Sequence, residues 1–295
     1  MTDTWFPERL HRNIRQAFRI KSVRHHEKTP YQDLKILDST GLGRMLALDN
    51  VIQVTEADDF FYHEMLVHVP VFAHGRVRQV LIIGGGDGGI LRETLRHKGV
   101  KRAVMVEIDR RVTDLCKAHM PRIGGSAWRD PRAEILFADG MAYVAETGAR
   151  FDLIIVDSTD PTGPGEVLFK APFYRDCRRI LQPGGIVVTQ NGVPFLQPWE
   201  VADTRRRLGR IFRDVAFYVV PVPTYQGGLM TLAWASDDLS HRNVSLATLK
   251  RRFARARFET GYYTPEIHVG AFALPPYIVR LMAKGRRGAK VRATT

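Results

Sequence analysis

Beyond its first quarter, the chain repeats one pattern, in which short apolar runs alternate with segments of helical periodicity. From about residue 78, five runs have the length of a β-strand, and the segments 90–98 and 110–120 between them have the spacing of amphipathic helices. Continuous apolar strands joined by helical crossovers predict a parallel sheet covered on both faces. The runs are QVLIIG (79–84), RAVMVEID (102–109), AEILFAD (133–139), FDLIIVD (151–157) and GIVVTQN (185–191). Residues 215–224 and 229–236 are expected to complete the sheet as a hairpin.

The first 55 residues have a different pattern. Two segments with alternating apolar positions, 32–40 and 43–55, meet at STGLG, which has the composition of a hairpin turn. We therefore expect a small antiparallel β domain at residues 1–55, followed by a helix that ends near Pro70. A catalytic domain at 56–283 and a basic, disordered tail at 284–295 complete the predicted organisation. The fold class is α/β, a Rossmann-like methyltransferase-type sheet with a small N-terminal antiparallel β domain.

Each of the five apolar runs has a polar residue at or just after its carboxyl end. These residues are Asp87, Glu107, Asp139, Asp157 and Gln190. Ligands of open α/β sheets bind at that edge. One such residue would mean little, but five on successive strands predict a binding site.

Composition is that of an ordinary globular protein, apart from its charge. The chain has 295 residues, 44% of them hydrophobic and 25% charged, with no apolar run of membrane-spanning or secretory type. The two cysteines, Cys116 and Cys177, fall in helix-like segments, so we expect reduced thiols and a cytoplasmic protein.

The net charge of +13 is compatible with a nucleic-acid-binding surface. Solvated helix faces explain it better, because no nucleic-acid recognition motif accompanies it, and we expect no specific nucleic-acid partner and no membrane partner.

The glycine-rich stretch LIIGGGDGGI at 81–90 follows the first of these strands. Gly84, Gly86 and Gly89 satisfy the G-x-G-x-x-G pattern, which alone is weak evidence because glycines also serve close packing. Glu107 lies 23 residues after Gly84, at the spacing of a carboxylate that accepts both ribose hydroxyls of an adenosine. A surface acid after a strand is the alternative. Asp139, followed by Gly140, would meet an adenine amino group or cap the next helix, and these two roles are compatible.

Asp87 excludes one large class of ligand. In a dinucleotide enzyme this turn holds a pyrophosphate, which a carboxylate would repel, so nicotinamide and flavin cofactors are rejected. S-adenosylmethionine carries no phosphate but ends in an ammonium and a carboxylate, of which Asp87 suits only the first. Decarboxylated S-adenosylmethionine, with a bare aminopropyl-ammonium, fits better. Asp87 would attract this co-substrate and disfavour its carboxylated parent.

The segment DSTDPTGPGEVLF at 157–169 carries the candidate chemistry. Asp157 would accept a proton from an alkyl ammonium, and Asp160 would hold the charge that remains, although an Asx turn or helix cap is an alternative for this segment. The leaving group would be a neutral thioether, so no metal is needed, and no histidine has metal-ligand spacing. Tyr62, His63 and Tyr225 would suit an alkyl diammonium, although each is as compatible with a core or surface position.

Several quoted motifs together identify a resemblance. The chain resembles spermidine synthases, the polyamine aminopropyltransferases, particularly the bacterial type, over about residues 26 to 277. The motifs are HEKTPYQDL, ALDNVIQVTEADDFFYHEM, VLIIGGGDGG, MVEID, DSTDPTGPGE, LQPGGIVVTQNG, PTYQGGLMTLAWASD and YYTPEIHVGAFALP. GGGDGG combined with D-S-x-D-P-x-G-P is highly specific.

The resemblance implies an activity and a set of roles. Aminopropyl transfer from decarboxylated S-adenosylmethionine to putrescine would give spermidine and methylthioadenosine, in a homodimer or homotetramer. Asp157 would be the proton acceptor. The polyamine would be bound by Tyr62, His63, Asp87, Asp160 and Tyr225. The nucleoside would be bound by Gln32, Gln53, Glu107, Asp139, Gly140 and Pro164, of which Gln32, Gln53 and Pro164 come from the resemblance alone.

Two features depart from the family, and three alternatives stay open. The chain is unusually basic, and Ala57 stands where a basic side chain is common, which leaves acceptor size and extra partners in doubt. The same chemistry on agmatine, cadaverine or spermidine is one alternative. A methyltransferase that uses S-adenosylmethionine and a nucleic-acid-binding protein are the others, the first disfavoured by Asp87 and the second supported by charge alone.

Overall fold

The computed structural model describes residues 4–158 and 170–286, which form two β-sheets with helices packed on them. The strands are β1 (Thr4–Pro7), β2 (Ala17–Lys28), β3 (Asp33–Ser39), β4 (Arg44–Leu48), β5 (Val51–Thr55), β6 (Gln79–Gly84), β7 (Arg102–Glu107), β8 (Ala133–Phe137), β9 (Phe151–Asp157), β10 (Leu181–Gln190), β11 (Asp214–Pro221) and β12 (Leu229–Ser236). The helices are α1 (Asp59–His74), α2 (Gly89–Arg96), α3 (Arg110–His119), α4 (Pro121–Gly124), α5 (Gly140–Glu146), α6 (Ala171–Ile180), α7 (Pro198–Leu208), α8 (Leu246–Ala256), α9 (Pro265–Ala271) and α10 (Pro276–Arg286).

The N-terminal sheet is antiparallel, in the order β1-β2-β3-β4-β5. The hairpin predicted at STGLG joins β3 to β4. The single strand predicted over 43–55 is wrong, because Asp49 and Asn50 adopt left-handed backbone angles (φ 50° and 63°) and reverse the chain between β4 and β5. Short polar residues tolerate this conformation, and it suits a tight hairpin turn. The sequence also gave no sign of β1 and β2, since β2 buries only Phe18 and Ile20.

The second sheet has the order β11-β12-β10-β9-β6-β7-β8. Strands β6 to β10 are parallel, and β12 and β11 add to β10 as an antiparallel hairpin. The predicted parallel sheet and its terminal hairpin are therefore confirmed. From β6 the chain moves outward to β7 and β8, whereas β9 and β10 lie on the other side of β6. The strand order thus reverses between β6 and β9, which is where ligands of open α/β sheets bind.

Helix α1 does not end near Pro70 as expected. Pro70 lies inside the helix, which continues to His74 and ends at Gly75 with a left-handed φ of 77°. Every residue from 62 to 73 is buried. Proline removes only one backbone hydrogen bond of the helix, and the burial of this whole segment outweighs that loss.

Apolar clusters fix the two sheets relative to each other. One face of the second sheet packs against α1 and α2, and the other against α6, α7 and α10. A separate cluster joins Leu34 and Leu46 of the N-terminal sheet to Val112 and Cys116 of α3. This contact brings the ends of β3 and β5 over the edge where β6, β7 and β9 end.

The last described helix, α10, extends further than the sequence predicted. Residues 284–286, placed by the sequence in a basic tail, form the end of α10, and 287–295 lie outside the described residues. Cys116 and Cys177 are buried free thiols in α3 and α6. In the described parts of the chain, none of the helices has both the length and the apolar character needed to span a membrane.

Candidate functional site

One large cavity lies between the two sheets, at the carboxyl ends of β6, β7 and β9. The empty space in and in front of it, including the open mouth, is about 1590 Å³. Ten of the twelve predicted site residues line it: Gln32, Gln53, Tyr62, His63, Asp87, Glu107, Asp139, Gly140, Asp157 and Tyr225. The other two, Asp160 and Pro164, lie outside the described residues. The fold therefore brings together predicted site residues that are up to 193 positions apart along the chain.

The glycine turn allows the backbone and two carboxylates to come close. Gly84 has a φ of 82°, and a Cβ there would lie 1.9 Å from the carbonyl oxygen of Asp157. A Cβ on Gly86 would lie 2.8 Å from Oε2 of Glu107. Gly84 therefore needs glycine, because its neighbour is backbone, whereas a side chain at Gly86 would displace the Glu107 carboxylate. The Asp157 carboxylate also approaches the turn, since a Cβ on Gly85 would lie 3.5 Å from its Oδ2.

Asp157 follows the last apolar residue of β9 and faces α1. Its Oδ1 accepts a 2.5 Å hydrogen bond from the hydroxyl of Tyr62. Burial raises the pKa of Asp157 to about 6, the negative charge of Asp87 adds to this, and the hydrogen bond from Tyr62 partly opposes it. A carboxylate with such a pKa is a better proton acceptor near neutral pH than an ordinary aspartate.

Asp87 is held at both of its oxygens. Oδ1 accepts a 2.7 Å hydrogen bond from the backbone N–H of Gly89, and Oδ2 lies 3.4 Å from Nε2 of His63. Burial opposes the ionised form of Asp87, but the charge of His63 and these hydrogen bonds outweigh it, so the pKa of Asp87 is lowered. Asp87 is therefore an ionised wall of the cavity beside Asp157.

His63 is almost completely buried, with 1% of its surface exposed. Its Nδ1 lies 3.2 Å from Oδ2 of Asp59, one helical turn earlier in α1. Burial alone would lower the pKa of His63, but the charges of Asp87 and Asp59 raise it to about 10.

Glu107 lies at the end of β7, and only 7% of its surface is exposed. Its Oε1 accepts a 2.9 Å hydrogen bond from the backbone N–H of Asp109. Burial raises the pKa of Glu107 to about 7, and the charges of Asp109 and Asp157 contribute. Asp109 in turn accepts a 2.9 Å hydrogen bond from Nε2 of Gln32, so a residue of the N-terminal sheet is anchored next to Glu107.

Asp139 and Gly140 lie at the far side of the same edge. Asp139 is exposed and caps α5, since its carboxylate accepts a 2.8 Å hydrogen bond from the backbone N–H of Met141. The helix-cap alternative is therefore confirmed, and it leaves Asp139 on the cavity wall. A Cβ on Gly140 would lie 2.5 Å from Cγ2 of Ile83 at the end of β6, so this position has no room for a side chain.

Tyr225 and Gln53 close the cavity from the opposite side. The hydroxyl of Tyr225 donates a hydrogen bond to the backbone carbonyl of Gln53. The rings of Tyr225 and Tyr62 lie edge to face with centroids 6.3 Å apart. These side chains give the cavity an aromatic wall beside the acids.

The sequence missed several residues that shape the cavity. Asp58 accepts hydrogen bonds from the backbone N–H of Thr224 (2.9 Å) and the hydroxyl of Thr55 (2.6 Å), so it ties the Tyr225 segment to the start of α1. Asp59 holds His63, and its spacing of four residues from His63 was the available signal. In sequence, however, two acids before a helix are ordinarily explained by the helix dipole.

Gln190 also lines the cavity, although no role beyond its place at a strand end was predicted for it. Its side chain donates to the carbonyl of Ser158 (3.1 Å) and accepts from the backbone N–H of Gly192 (3.0 Å). Gln190 thus fixes the backbone immediately after Asp157. Within residues 4–158 and 170–286, no group of histidine, cysteine or acidic side chains is arranged to hold a metal ion.

Two family models match the chain. The spermine/spermidine synthase domain matches residues 59–245, and the spermidine synthase tetramerisation domain matches residues 4–56. Among curated proteins, a polyamine aminopropyltransferase of Hamiltonella defensa is 52% identical over 281 residues, which cover 95% of this chain and 97% of the relative. Polyamine aminopropyltransferase 1 of Pseudomonas aeruginosa is 52% identical over 279 residues, with 95% and 98% covered.

Solved structures are similar over nearly the whole chain. A spermidine synthase in complex with the transition state analogue AdoDATO superimposes with a TM-score of 0.91 at 33% sequence identity, covering 96% of both chains. The spermidine synthase of Thermotoga maritima gives a TM-score of 0.89 at 33% identity, covering 96% of this chain and 95% of that one. The predicted α/β fold class is confirmed by these similarities.

Proposed function

The chain belongs to the spermine/spermidine synthase family and is a polyamine aminopropyltransferase, a transferase of polyamine biosynthesis, and from that premise we propose its reaction. It transfers the aminopropyl group of decarboxylated S-adenosylmethionine to putrescine and releases spermidine and methylthioadenosine. No bound cofactor or metal takes part, because the sulfonium co-substrate is already activated.

The observation that carries this proposal is the acidic wall of the cavity. Asp87, Asp157 and Glu107 line one space, although the protein as a whole carries a net charge of +13. Buried carboxylates are costly unless a cation or hydrogen-bond donors compensate them. A diamine together with a cationic sulfonium supplies that compensation.

The nucleoside half of the donor belongs at the β7 end. Glu107 would accept the hydrogens of the ribose hydroxyls, in keeping with its position at the end of β7. Gln32, Gln53, Asp139, Gly140 and Pro164 are assigned to the same half. Glu107 is buried, which raises its pKa, and a hydrogen bond between its carboxylate and a ribose hydroxyl would be stronger there than in water.

The amine half belongs between α1 and the glycine turn. Asp87 would receive the ammonium of the aminopropyl group and would disfavour a carboxylated donor. Tyr62, His63, Asp160 and Tyr225 are assigned to the diamine channel. Aromatic faces and hydroxyls suit a chain that is apolar in the middle and charged at its ends.

The reaction is a proton transfer coupled to a displacement. At neutral pH about one alkyl amine in a thousand is unprotonated, since the pKa of such an ammonium is about 10. Asp157 takes one proton from the ammonium, and the freed lone pair attacks the methylene carbon bonded to sulfur. The C–S bond breaks with its electron pair passing to sulfur, which leaves as a neutral thioether. The product nitrogen is a secondary ammonium, and Asp157 releases its proton to solvent.

An end-point assay tests this proposal. Purified protein is incubated with decarboxylated S-adenosylmethionine and, separately, putrescine, cadaverine, agmatine or spermidine, and products are identified by mass spectrometry. We expect spermidine and methylthioadenosine in equal amounts, with putrescine the best acceptor. Preference for another amine would overturn the acceptor assignment, and absence of any aminopropyl product would overturn the reaction.

Titration calorimetry separates this activity from methyl transfer. We expect decarboxylated S-adenosylmethionine to bind far more tightly than S-adenosylmethionine, because only the latter places a carboxylate near Asp87. Tighter binding of the carboxylated form would favour a methyltransferase instead.

We also propose that the chain assembles as a homodimer or homotetramer. Its N-terminal region, residues 4–56, matches a tetramerisation domain, which supports association of copies of the chain. Light scattering after size-exclusion chromatography tests this, and a monomer at micromolar concentration would contradict it.

A further inference from the structure

His63 has a carboxylate oxygen next to each of its ring nitrogens. Nδ1 lies 3.2 Å from Oδ2 of Asp59, and Nε2 lies 3.4 Å from Oδ2 of Asp87. A neutral imidazole has one N–H, so its other nitrogen would turn a lone pair toward a carboxylate. Only the imidazolium directs an N–H toward each acid, and the geometry therefore favours the charged ring.

Asp59 is itself held by Arg92. Nη2 of Arg92 donates a 2.8 Å hydrogen bond to Oδ2 of Asp59, and Nε donates a 2.7 Å hydrogen bond to Oε1 of Glu93. Nη1 donates a 2.6 Å hydrogen bond to the backbone carbonyl of Ile123. The guanidinium is thus fixed by three partners, and Asp59 has little freedom to turn away from His63.

The glycine turn leaves space for this arrangement. A Cβ on Gly89 would lie 2.1 Å from Nδ1 and Cε1 of the His63 ring. The backbone N–H of the same residue donates to Oδ1 of Asp87. Gly89 therefore admits the ring and anchors the carboxylate that the ring contacts.

We propose that Asp59 and Arg92 are positioning residues, which act through the His63 ring to fix and keep ionised the Asp87 carboxylate that receives the amine of the donor. This inference rests on the proposed function and adds which residues set the position and the charge of Asp87. His63 therefore lies beside the diamine channel without binding an ammonium itself. It acts on the aminopropyl ammonium of the donor through Asp87, because a doubly protonated ring has no acceptor atom left for an ammonium.

The charges around His63 are consistent with this role. Asp59 on α1, Asp87 in the turn and Asp157 at the end of β9 are acidic, and Arg92 on α2 is the cation facing them. The ring of Tyr62 lies edge to face, with centroids 5.7 Å apart. The raised pKa of His63, about 10, follows from the acidic majority of this set.

The first test measures the protonation of His63 without any substrate. Histidine labelled with ¹³C at Cε1 gives one ring signal for each histidine, and the His63 signal is identified by its loss in His63→Asn. In the unsubstituted enzyme we expect the protonated form through pH 8. In Asp59→Asn we expect deprotonation about one to three pH units lower, because an opposite charge within about 4 Å has been removed. A neutral ring at pH 8, or an unchanged midpoint in Asp59→Asn, would overturn the inference.

The second test separates positioning from folding by kinetics. In Asp59→Asn and Arg92→Met we expect the KM for the decarboxylated donor to rise about tenfold or more, with a smaller change in kcat. The preference for the decarboxylated over the carboxylated donor falls in parallel. Arg92→Lys keeps the cation and recovers part of the loss.

Two matched variants give the baseline. Arg96→Met removes the other arginine bound to Glu93, one turn along α2 but away from Asp59. Glu266→Gln removes an acid from the first turn of α9, where it pairs with Lys250. Both are expected to keep the original KM. A rise in KM that is as large in Arg96→Met as in Arg92→Met would assign the effect to α2 stability and contradict the proposal.

These experiments distinguish failure of the proposed reaction from failure of the positioning role of Asp59 and Arg92. Absence of aminopropyl transfer in the unsubstituted enzyme would remove the proposed function, whatever the His63 titration gives. Normal transfer with an Asp59→Asn enzyme that keeps its donor KM would leave the function intact and remove the positioning role.

Discussion

The hydroxyl of Tyr62 donates a 2.5 Å hydrogen bond to Oδ1 of Asp157. This bond joins the first turn of α1 to the end of β9, so the helix over the cavity directly contacts the proposed proton acceptor. Burial raises the pKa of Asp157 to about 6, the charge of Asp87 adds to it, and the Tyr62 hydrogen bond stabilises the ionised form. The pKa of Asp157, and with it the pH above which this carboxylate is ionised, is thus set by its burial, by Asp87 and by Tyr62.

The pH profile follows from this balance. Asp157 must be ionised to accept a proton, so kcat/KM is expected to fall as the pH drops through about 6. Tyr62→Phe removes a hydrogen bond to the ionised form and is expected to move this acid limb about one pH unit higher. Tyr143→Phe, on α5 and outside the cavity lining, should keep the original limb. A limb that stays in place or moves lower in Tyr62→Phe would contradict this account.

Removal of the carboxylate tests the base itself. In Asp157→Asn we expect kcat to fall by about 10² to 10⁴, the usual contribution of general acid–base catalysis, while calorimetry shows donor binding near that of the unsubstituted enzyme. Asp203→Asn, on an α7 acid that pairs with Arg206, controls for loss of a surface charge. Full turnover in Asp157→Asn would remove the proton-acceptor role.

The parallel sheet and much of its site were predictable because most residues of β6, β7, β9 and β10 are buried. Apolar runs ending at Glu107 and Asp157 are visible as such in the sequence, and parallel strands bring their carboxyl ends to one edge. The sequence identified ten residues that line the observed cavity. Gln32 and Gln53 among them required the family resemblance, because they reach the cavity only through packing of the N-terminal sheet on α3.

The errors arose where tertiary contacts override local pattern. Pro70 normally ends a helix, but α1 is buried over a dozen residues and continues through it. Strand β2 is mostly exposed and has no clear alternation, so its pairing with β3 was not visible. Asp59 looked like an ordinary acid at a helix start, since its partner Arg92 lies 33 residues away along the chain.

The third glycine of the G-x-G-x-x-G pattern gives a steric prediction. In Gly89→Ala the new methyl group would lie 2.1 Å from the His63 ring, so the ring must move. Because displacement of about 1 Å in an active site can cost 10²-fold, we expect kcat/KM to fall by about that factor. Gly270→Ala, in helix α9, meets no heavy atom within 4 Å and serves as the control. Equal activity of the two variants would show that His63 tolerates the shift.

The stability of the free enzyme is expected to depend on Glu107. Its folded pKa, about 7, lies above the ordinary value of 4.5, so the folded state binds a proton more tightly than the unfolded state. The associated stability is complete below about pH 4.5 and is lost as the pH rises through 7. Glu107→Gln has no proton to lose, and at pH 8 it should be more stable than the unsubstituted enzyme by up to about 3 kcal/mol.

Denaturant unfolding at pH 5 and pH 8 measures this difference. The gain in Glu107→Gln should shrink toward pH 5, where the folded-state carboxyl is already protonated. Glu134→Gln, on the neighbouring strand β8 with its side chain 43% exposed, should change stability little at either pH. Of these two variants, only Glu107→Gln should bind the donor more weakly, because an amide replaces the carboxylate proposed to accept hydrogen bonds from the ribose hydroxyls. A variant that binds the donor normally but is no more stable at pH 8 would show that Glu107 neither strains the free enzyme nor serves the nucleoside.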